Sequence, residues 1–360
     1  MPKVTFINKE NTFFSSVKHS VDQYFLTRNL RKTGTAKLYI KTIVLIPSAI
    51  SLYYQLVFRN VFLLIGIGSC ILLGIVLASI GFNVMHDACH GSYSRSKLMN
   101  EFMGYSLNAL GGNAFIWKFK HNILHHTYPN MDGIDDDIAK SPMMRHCSTQ
   151  KWYPIHRAQH IYVFFIYALT SIAWVFFFDF MKYFKRKIGH MDLQKMNMKE
   201  HLIFWVSKIL YVYFYVALPV YMLGWQKWAV GYLIVNVVMG FSLAIVFQLA
   251  HAVEHTAFEW VGPQDSLKIE NEWAIYQVKA TANFATNNGA ITWLVGGLNF
   301  QIEHHLFPRI SHVHYPALNQ IVRQECLRFK IPYNEFHTMT EAIRSHVNLM
   351  KAAGKGPADS

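Results

Sequence analysis

The stretch VFLLIGIGSCILLGIVLASIGFNVMHDACH, Val61 to His90, decides the fold. It runs for 30 residues and carries no charged side chain before Asp87. At 1.5 Å per residue, a helix of that length is about 45 Å long. The hydrocarbon core of a bilayer is about 30 Å thick. Such a helix crosses the membrane and carries its last turns, with His86 and His90, out beyond the lipid. Four more apolar runs share this character: Thr42 to Phe58, Ile161 to Phe180, Leu202 to Leu223, and Trp228 to His251. The last also overshoots, bringing His251 out at its far end. The connections Arg59-Asn60 and Gly224 to Lys227 are very short, so the flanking runs pair as two helical hairpins. Trp225 and Trp228 suit an interfacial belt at the bottom of the second.

Charge sets the parity. The segment 86–160 carries Arg95, Lys118, Lys120, Arg145 and Arg157. The segment 182–199 carries Lys182, Lys185, Arg186, Lys187, Lys195 and Lys199. The positive-inside rule places both on the cytoplasmic face. A single crossing between them would break that rule and would separate His251 from His86 and His90. Ile161 to Phe180 is therefore read as interfacial or re-entrant. The expected fold is all-α and integral to the membrane. Four transmembrane helices form two hairpins, joined by interfacial helices and topped by a cytosolic helical cap. Residues 1–40 are read as a polar cytosolic segment, 41–325 as the membrane domain and 326–360 as a cytosolic tail, with both termini cytosolic.

Composition agrees with this layout. Of 360 residues, 52% are hydrophobic and only 15% charged, well below the roughly 25% of a soluble domain. Mean hydropathy is only slightly positive, so a large polar part accompanies the spans. The net charge of +13 marks the cytoplasmic face of a membrane protein, and no nucleic-acid partner is expected. The four cysteines lie far apart, without zinc, redox or disulfide spacing. The first forty residues contain no apolar core of signal-peptide type.

Histidine is the outlier, with 19 residues in clusters. His86-Asp-Ala-Cys-His90 is an HxxxH and His121-Asn-Ile-Leu-His125-His126 an HxxxHH. His251 has His255 four residues on, and Gln301-Ile-Glu-His304-His305 is a QxxHH. Helical residues three or four apart share a face, so each box aims its imidazoles at one point. Neutral imidazole is a common ligand of zinc, copper, iron and nickel. His86, His90, His121, His125, His126, His251, His304 and His305 are too many for one tetrahedral ion, but enough for two of higher coordination. No thiolate accompanies them, which argues against iron–sulfur. There is no HExxH, so a metalloprotease of that type lacks its base. His19, His146, His190, His201, His337 and His346, standing alone, are read as structural.

HDACH, HNILHH and QIEHH, ordered around two hairpins, resemble the three histidine boxes of the membrane fatty acid desaturases. Gln301, the context Gly296-Gly-Leu-Asn-Phe-Gln301-Ile-Glu-His-His305-Leu-Phe-Pro308, the extra histidine of Gln248-Leu-Ala-His251, and Thr127-Tyr-Pro-Asn130 before Asp135 to Asp137 resemble the front-end enzymes and their bacterial homologues. The resemblance covers roughly residues 40 to 325. It implies two iron ions held by the eight histidines, dioxygen as co-substrate, a fatty acyl substrate drawn from membrane lipid, coenzyme A or a carrier protein, and insertion of a double bond. The HPGG haem motif of a fused cytochrome b5 domain is missing from this sequence. Electrons are therefore expected from a separate donor, a ferredoxin or free cytochrome b5 with its reductase, steered by the positive surface. Asp87 and Glu303 are candidates to orient imidazoles. Gln301, Asn283 and His255 are candidates for weak or indirect metal contacts, and His156, Arg157 and His160 for the substrate head group. Two rival readings remain: a hydroxylase or ketolase using the same boxes, and a metal or proton transporter. Polar residues spread through the membrane interior would favour the transporter, whereas these histidines gather at one end of the spans.

Overall fold

The computed structural model describes residues 3–7, 12–139, 142–262 and 265–356. Residues 1–2, 8–11 and 357–360 of the terminal segments read from the sequence lie outside the described residues.

The described residues are mostly helical, and among them five helices are long and apolar enough to cross a membrane: Ala36–Phe58, Leu63–Cys89, Pro154–Lys185, Met198–Leu223 and Trp225–His251. The run expected to lie at the interface, Ile161 to Phe180, thus continues as helix through its polar flanks and meets the same length requirement. Both its ends are tied to the side of the molecule that holds the histidines. At its start, the Gln159 amide donates to the carbonyls of Arg145 and Met350. At its finish, Lys182 pairs with Asp136 at 2.6 Å, next to the Asp135 that binds His125.

Two glycines let the long helices approach closely, as small residues do in membrane bundles. A Cβ on Gly74 would lie 2.8 Å from the Val235 carbonyl of Trp225–His251. A Cβ on Gly240 would lie 2.9 Å from the Ala168 carbonyl, and there the Ser171 hydroxyl donates to the Asn236 carbonyl. The second hairpin turns on Gly224 alone, whose φ of +79° an L side chain rarely adopts.

The terminal segments are packed rather than trailing. In Thr12–Thr27, Phe13, Val17, Val21 and Phe25 recur at i, i+4, i+8 and i+12 and are all buried. Their partners in this core include Val322 of Tyr315–Arg328 and Ile302 of Gln301–Leu306. Met339–Ala353 begins with a capping box, Thr338 with Glu341, and buries Ala342 and Met350 in the core shared with the spans. Among the described residues, four two-stranded ladders interrupt the all-helical expectation. Three are parallel and link distant segments: Lys3–Phe6 with Ser266–Ile269, Met131–Asp132 with Glu259–Trp260, and Asn283–Phe284 with Glu335–Phe336. The fourth is a local antiparallel pair, Lys187–Ile188 with Met191–Asp192.

Candidate metal centre

Among the described residues, two of the four π-helical turns lie at the histidine boxes, where such turns re-aim side chains. Gly81–Met85 leads directly into His86, and Phe119–His125 carries the second box. The result is two groups of donors. The ligand-bearing atoms of His86, His90, His121 and His304 lie within 4.8 Å of one another, and so do those of His125, His251 and His305. His126 stands between the groups, its ring 4.8 Å from His90, 4.6 Å from His304 and 4.4 Å from His305. All eight expected histidines are buried at this one centre.

Each burial has a local cause. His304 and His305 ride on Gln301–Leu306, which is buried along its whole length. Their Nδ1 atoms are occupied, His304 with the Tyr315 hydroxyl at 2.9 Å and His305 with the Gln277 carboxamide oxygen at 2.8 Å. His125 Nδ1 lies 3.0 Å from Asp135. A carboxylate or amide oxygen accepts N–H, so in His125 and His305 Nδ1 carries the proton and Nε2 the lone pair. Those Nε2 atoms, with Nε2 of His90 and His304, have no hydrogen-bond partner among the described residues. An unsatisfied buried polar atom costs about 1–3 kcal/mol. Four of them at one centre fit metal ions, which supply the missing partner. Burial holds His90, His121, His126, His304 and His305 well below the ordinary imidazole pKa, in the neutral form that binds metal.

Several expected supporting roles fall to other residues. Asp87 turns away from the imidazoles of its own box. Its carboxylate accepts from the Ser311 hydroxyl at 2.6 Å and faces His312 Nδ1 at 3.1 Å. Glu303 is bound by the Asn283 amide at 2.8 Å and the Tyr333 hydroxyl at 2.7 Å, and burial pushes its pKa up to about 7 despite them. Asn283 is thereby spent on Glu303 and on the Ile302 amide rather than on a metal. The reason is helical direction: from Gln301–Leu306, Glu303 leaves on the face opposite its neighbours. His255 is exposed, at φ +70° beyond the end of its helix. Of the head-group trio, His156 is buried, its Nε2 at 2.8 Å from the Pro142 carbonyl and its Nδ1 accepting from the Tyr153 amide. Arg157 lies over the Trp152 ring, and His160 lies in the first turn of the helical stretch that starts at Gln159. Gln301 does reach the centre, its amide nitrogen 2.8 Å from His251 Nε2.

Asp135, Gln277 and Tyr315 are the orienting residues that spacing alone does not reveal. Trp117 is another, stacked on His121 at 4.3 Å. His146 and His346, read as structural, are both hydrogen-bonded: His346 to Tyr167 and the Ala252 carbonyl, His146 to the Ile138 carbonyl and Gln248.

Beside Met85 lies a small apolar recess of about 20 Å³, reached by Leu107, Gly112, Trp174 and Met239.

Comparison with known proteins agrees with this geometry. The model of the fatty acid desaturase family matches residues 24–337. The chain is 33% identical to an acyl-lipid (8-3)-desaturase of Physcomitrium patens, over 95% of this chain and 72% of the relative. It is 32% identical to an sn-1 linoleoyl-lipid 6-desaturase of Arthrospira platensis, over 99% and 96% of the two chains. It is also 32% identical to the Synechocystis sp. protein of the same description, over 98% of each.

Proposed function

The chain belongs to the fatty acid desaturase family and is a membrane fatty acid desaturase; from that premise we propose that it acts on acyl chains esterified in membrane lipid, at two histidine-held irons. The observation that carries this is the pair of buried histidine groups with unpartnered ring nitrogens. The substrate class rests on the relatives, whose descriptions name acyl-lipid and linoleoyl-lipid substrates.

The overall change is oxidation of –CH2–CH2– to –CH=CH–. With two electrons and two protons from outside, dioxygen leaves as two waters. No side chain removes hydrogen from an unactivated methylene near pH 7; bound iron with dioxygen supplies that oxidising power. The chain's own residues do the rest. Asp135, Gln277 and Tyr315 fix ring orientation and tautomer. Burial keeps the imidazoles neutral and excludes water.

We read four crossings, with Pro154–Lys185 held at the interface. Its two ends are tied to the histidine side, and the charge distribution supports this reading. The metal centre and both termini are then cytosolic. Residues 41–325 form the catalytic unit, braced by the terminal helices. A separate one-electron carrier, a ferredoxin or free cytochrome b5, delivers the electrons to the basic face.

Expression in a host without polyunsaturated lipids, fed a defined fatty acid, tests the reading. A new double bond in extracted lipids, lost in His304→Ala, is expected, with two irons per purified chain. Unaltered lipids alongside bound zinc would overturn it.

A further inference from the structure

On the far side of the first histidine box the surface opens into a recess of about 380 Å³. Asn29, Arg31, Thr33, Thr35, Ser94 and Arg95 give it polar walls, and among the described residues no carboxylate lines it. Among the described residues, neither Arg31 nor Arg95 makes an ion pair or side-chain hydrogen bond. Lys32, between them in sequence with Arg31, is by contrast neutralised by Asp22 at 2.5 Å. Two uncommitted guanidinium groups, with hydroxyls around one concavity, form a receptor for a phosphate-type anion.

The recess is built onto the metal centre. The Gly34 amide donates to the Ser92 carbonyl at 2.9 Å, and a Cβ on Gly34 would lie 2.4 Å from the Tyr93 carbonyl. The Lys32 carbonyl accepts from the Ser311 amide, and the Ser311 hydroxyl donates to Asp87. Its floor is the start of Ala36–Phe58, where Ile40 and Ile43 are exposed, 59% and 69%, on a helix fit to face lipid. The recess therefore lies where the chain enters the apolar layer, at the depth of lipid head groups. One segment orders the parts: Met85 at the apolar recess, His86 and His90 at the metals, and Ser94 and Arg95 at the polar recess.

We propose that this recess binds the phosphate of an anionic glycerolipid and so places an acyl chain of that lipid at the histidines. The inference rests on the desaturase reading and deepens it, by giving the head group a chemistry and a location other than His156, Arg157 and His160.

The test compares wild-type protein with Arg31→Gln/Arg95→Gln and with Lys97→Gln as a nearby control. Each is reconstituted with linoleoyl phosphatidylglycerol and a linoleoyl galactolipid, with retention of phosphatidylglycerol read by native mass spectrometry. Wild type and Lys97→Gln should favour the phospholipid. The double variant should raise its KM by about tenfold or more, the scale of at least one lost charge-assisted hydrogen bond. Its iron content, its kcat and its galactolipid rate should be unchanged, which also certifies folding. Equal rates on the two lipids in wild type, or a preference surviving in the double variant, would overturn the proposal. So would tight binding of inorganic phosphate to the detergent-solubilised protein without preferential retention of the phospholipid, since that marks a free-anion site. If wild type desaturates neither lipid, the acyl-lipid reading fails. Retention of phosphatidylglycerol by wild type but not by the double variant still supports the recess in that event, and its absence overturns it.

Discussion

The backbone N–H of His126 donates to the carbonyl of His121 at 3.0 Å, and their Nε2 atoms lie 3.3 Å apart. This i→i+5 bond belongs to the π-turn Phe119–His125. On an α-helix of 3.6 residues per turn, His126 would sit about 140° round from His121. The wider turn keeps His121 in the first donor group, sets His126 between the two groups, and sends His125 to the second, where Asp135, His251 and His305 wait.

The spacing of the second box should therefore tolerate shortening better than lengthening. Deleting the half-exposed Ile123 converts i, i+5 into i, i+4, which an α-turn aligns. Inserting an alanine there makes i, i+6 and swings His126 away by about 100° per residue. The deletion should retain most bound iron and the insertion lose it, as read by metal analysis of purified protein. Equal metal content in the two variants would show that the π-turn does not set the ligand geometry.

Asp135→Asn should weaken metal binding by about 10–100-fold, the usual effect of removing a carboxylate that orients a ligand histidine. The amide can still meet His125 Nδ1, but it no longer stabilises the ring electrostatically and can present N–H instead of oxygen. Asp87→Asn, whose carboxylate faces Ser311 and His312, should change metal affinity less. Competition with a calibrated chelator measures both.

Much of this centre is legible in the sequence because its candidate ligands are clustered histidines and helical boxes have short periods. The membrane runs are legible because lipid demands long apolar helices. What escapes is whatever depends on long-range packing. Gln277 precedes His305 by 28 residues and Tyr315 follows His304 by 11, and no local period connects either pair. Glu303 lies inside a box, yet its helix aims it at Asn283 and Tyr333. The π-turn escapes for a different reason: i, i+4 is the default face of a helix, and Asn122-Ile-Leu124 carries no signal for a wider turn. Phe13, Val17, Val21 and Phe25 were open to reading, a four-residue apolar period in a segment whose charge alone suggested a polar tail.

Metal-free protein should lose stability as pH falls below about 6.5, the ordinary imidazole value. His90, His121, His126, His304 and His305 have folded pKa values well below it. In that window the unfolded chain takes up protons that the folded one does not, so ΔG of unfolding falls with pH. Each such histidine contributes a slope of up to about 1.4 kcal/mol per pH unit. The loss begins near the unfolded value and continues until the folded pKa is passed. Loading with iron should reduce the dependence until protons displace the metal. Thermal unfolding in detergent between pH 8 and pH 5, with and without metal, checks the sign.

Turnover with a purified acidic carrier should fall as ionic strength rises. The chain's +13 charge steers such a donor, and the Debye length shrinks from about 30 Å at 0.01 M to about 10 Å at 0.1 M. The effect should appear in the KM for the carrier, with kcat little changed. Salt-independent turnover would place donor recognition on apolar contacts instead.

Gln301→Ala should keep the fold and most of the iron but lose activity by about tenfold or more, the size of effect expected when a group beside a metal ligand is removed. The side chain is 3% exposed, and its amide nitrogen lies 2.8 Å from His251 Nε2. Alanine abolishes that contact and leaves a void beside the ring, so His251 is free to rotate while the remaining histidines still hold metal. Gln301→His should retain iron, because imidazole supplies both a ring that can pack there and a nitrogen that can bind. His304→Ala should do more damage than either, since it removes a ring nitrogen aimed at the centre. Iron content and desaturation measured together separate the three variants. Full activity with unchanged iron in Gln301→Ala would reduce Gln301 to a packing residue and leave the eight histidines alone as the site.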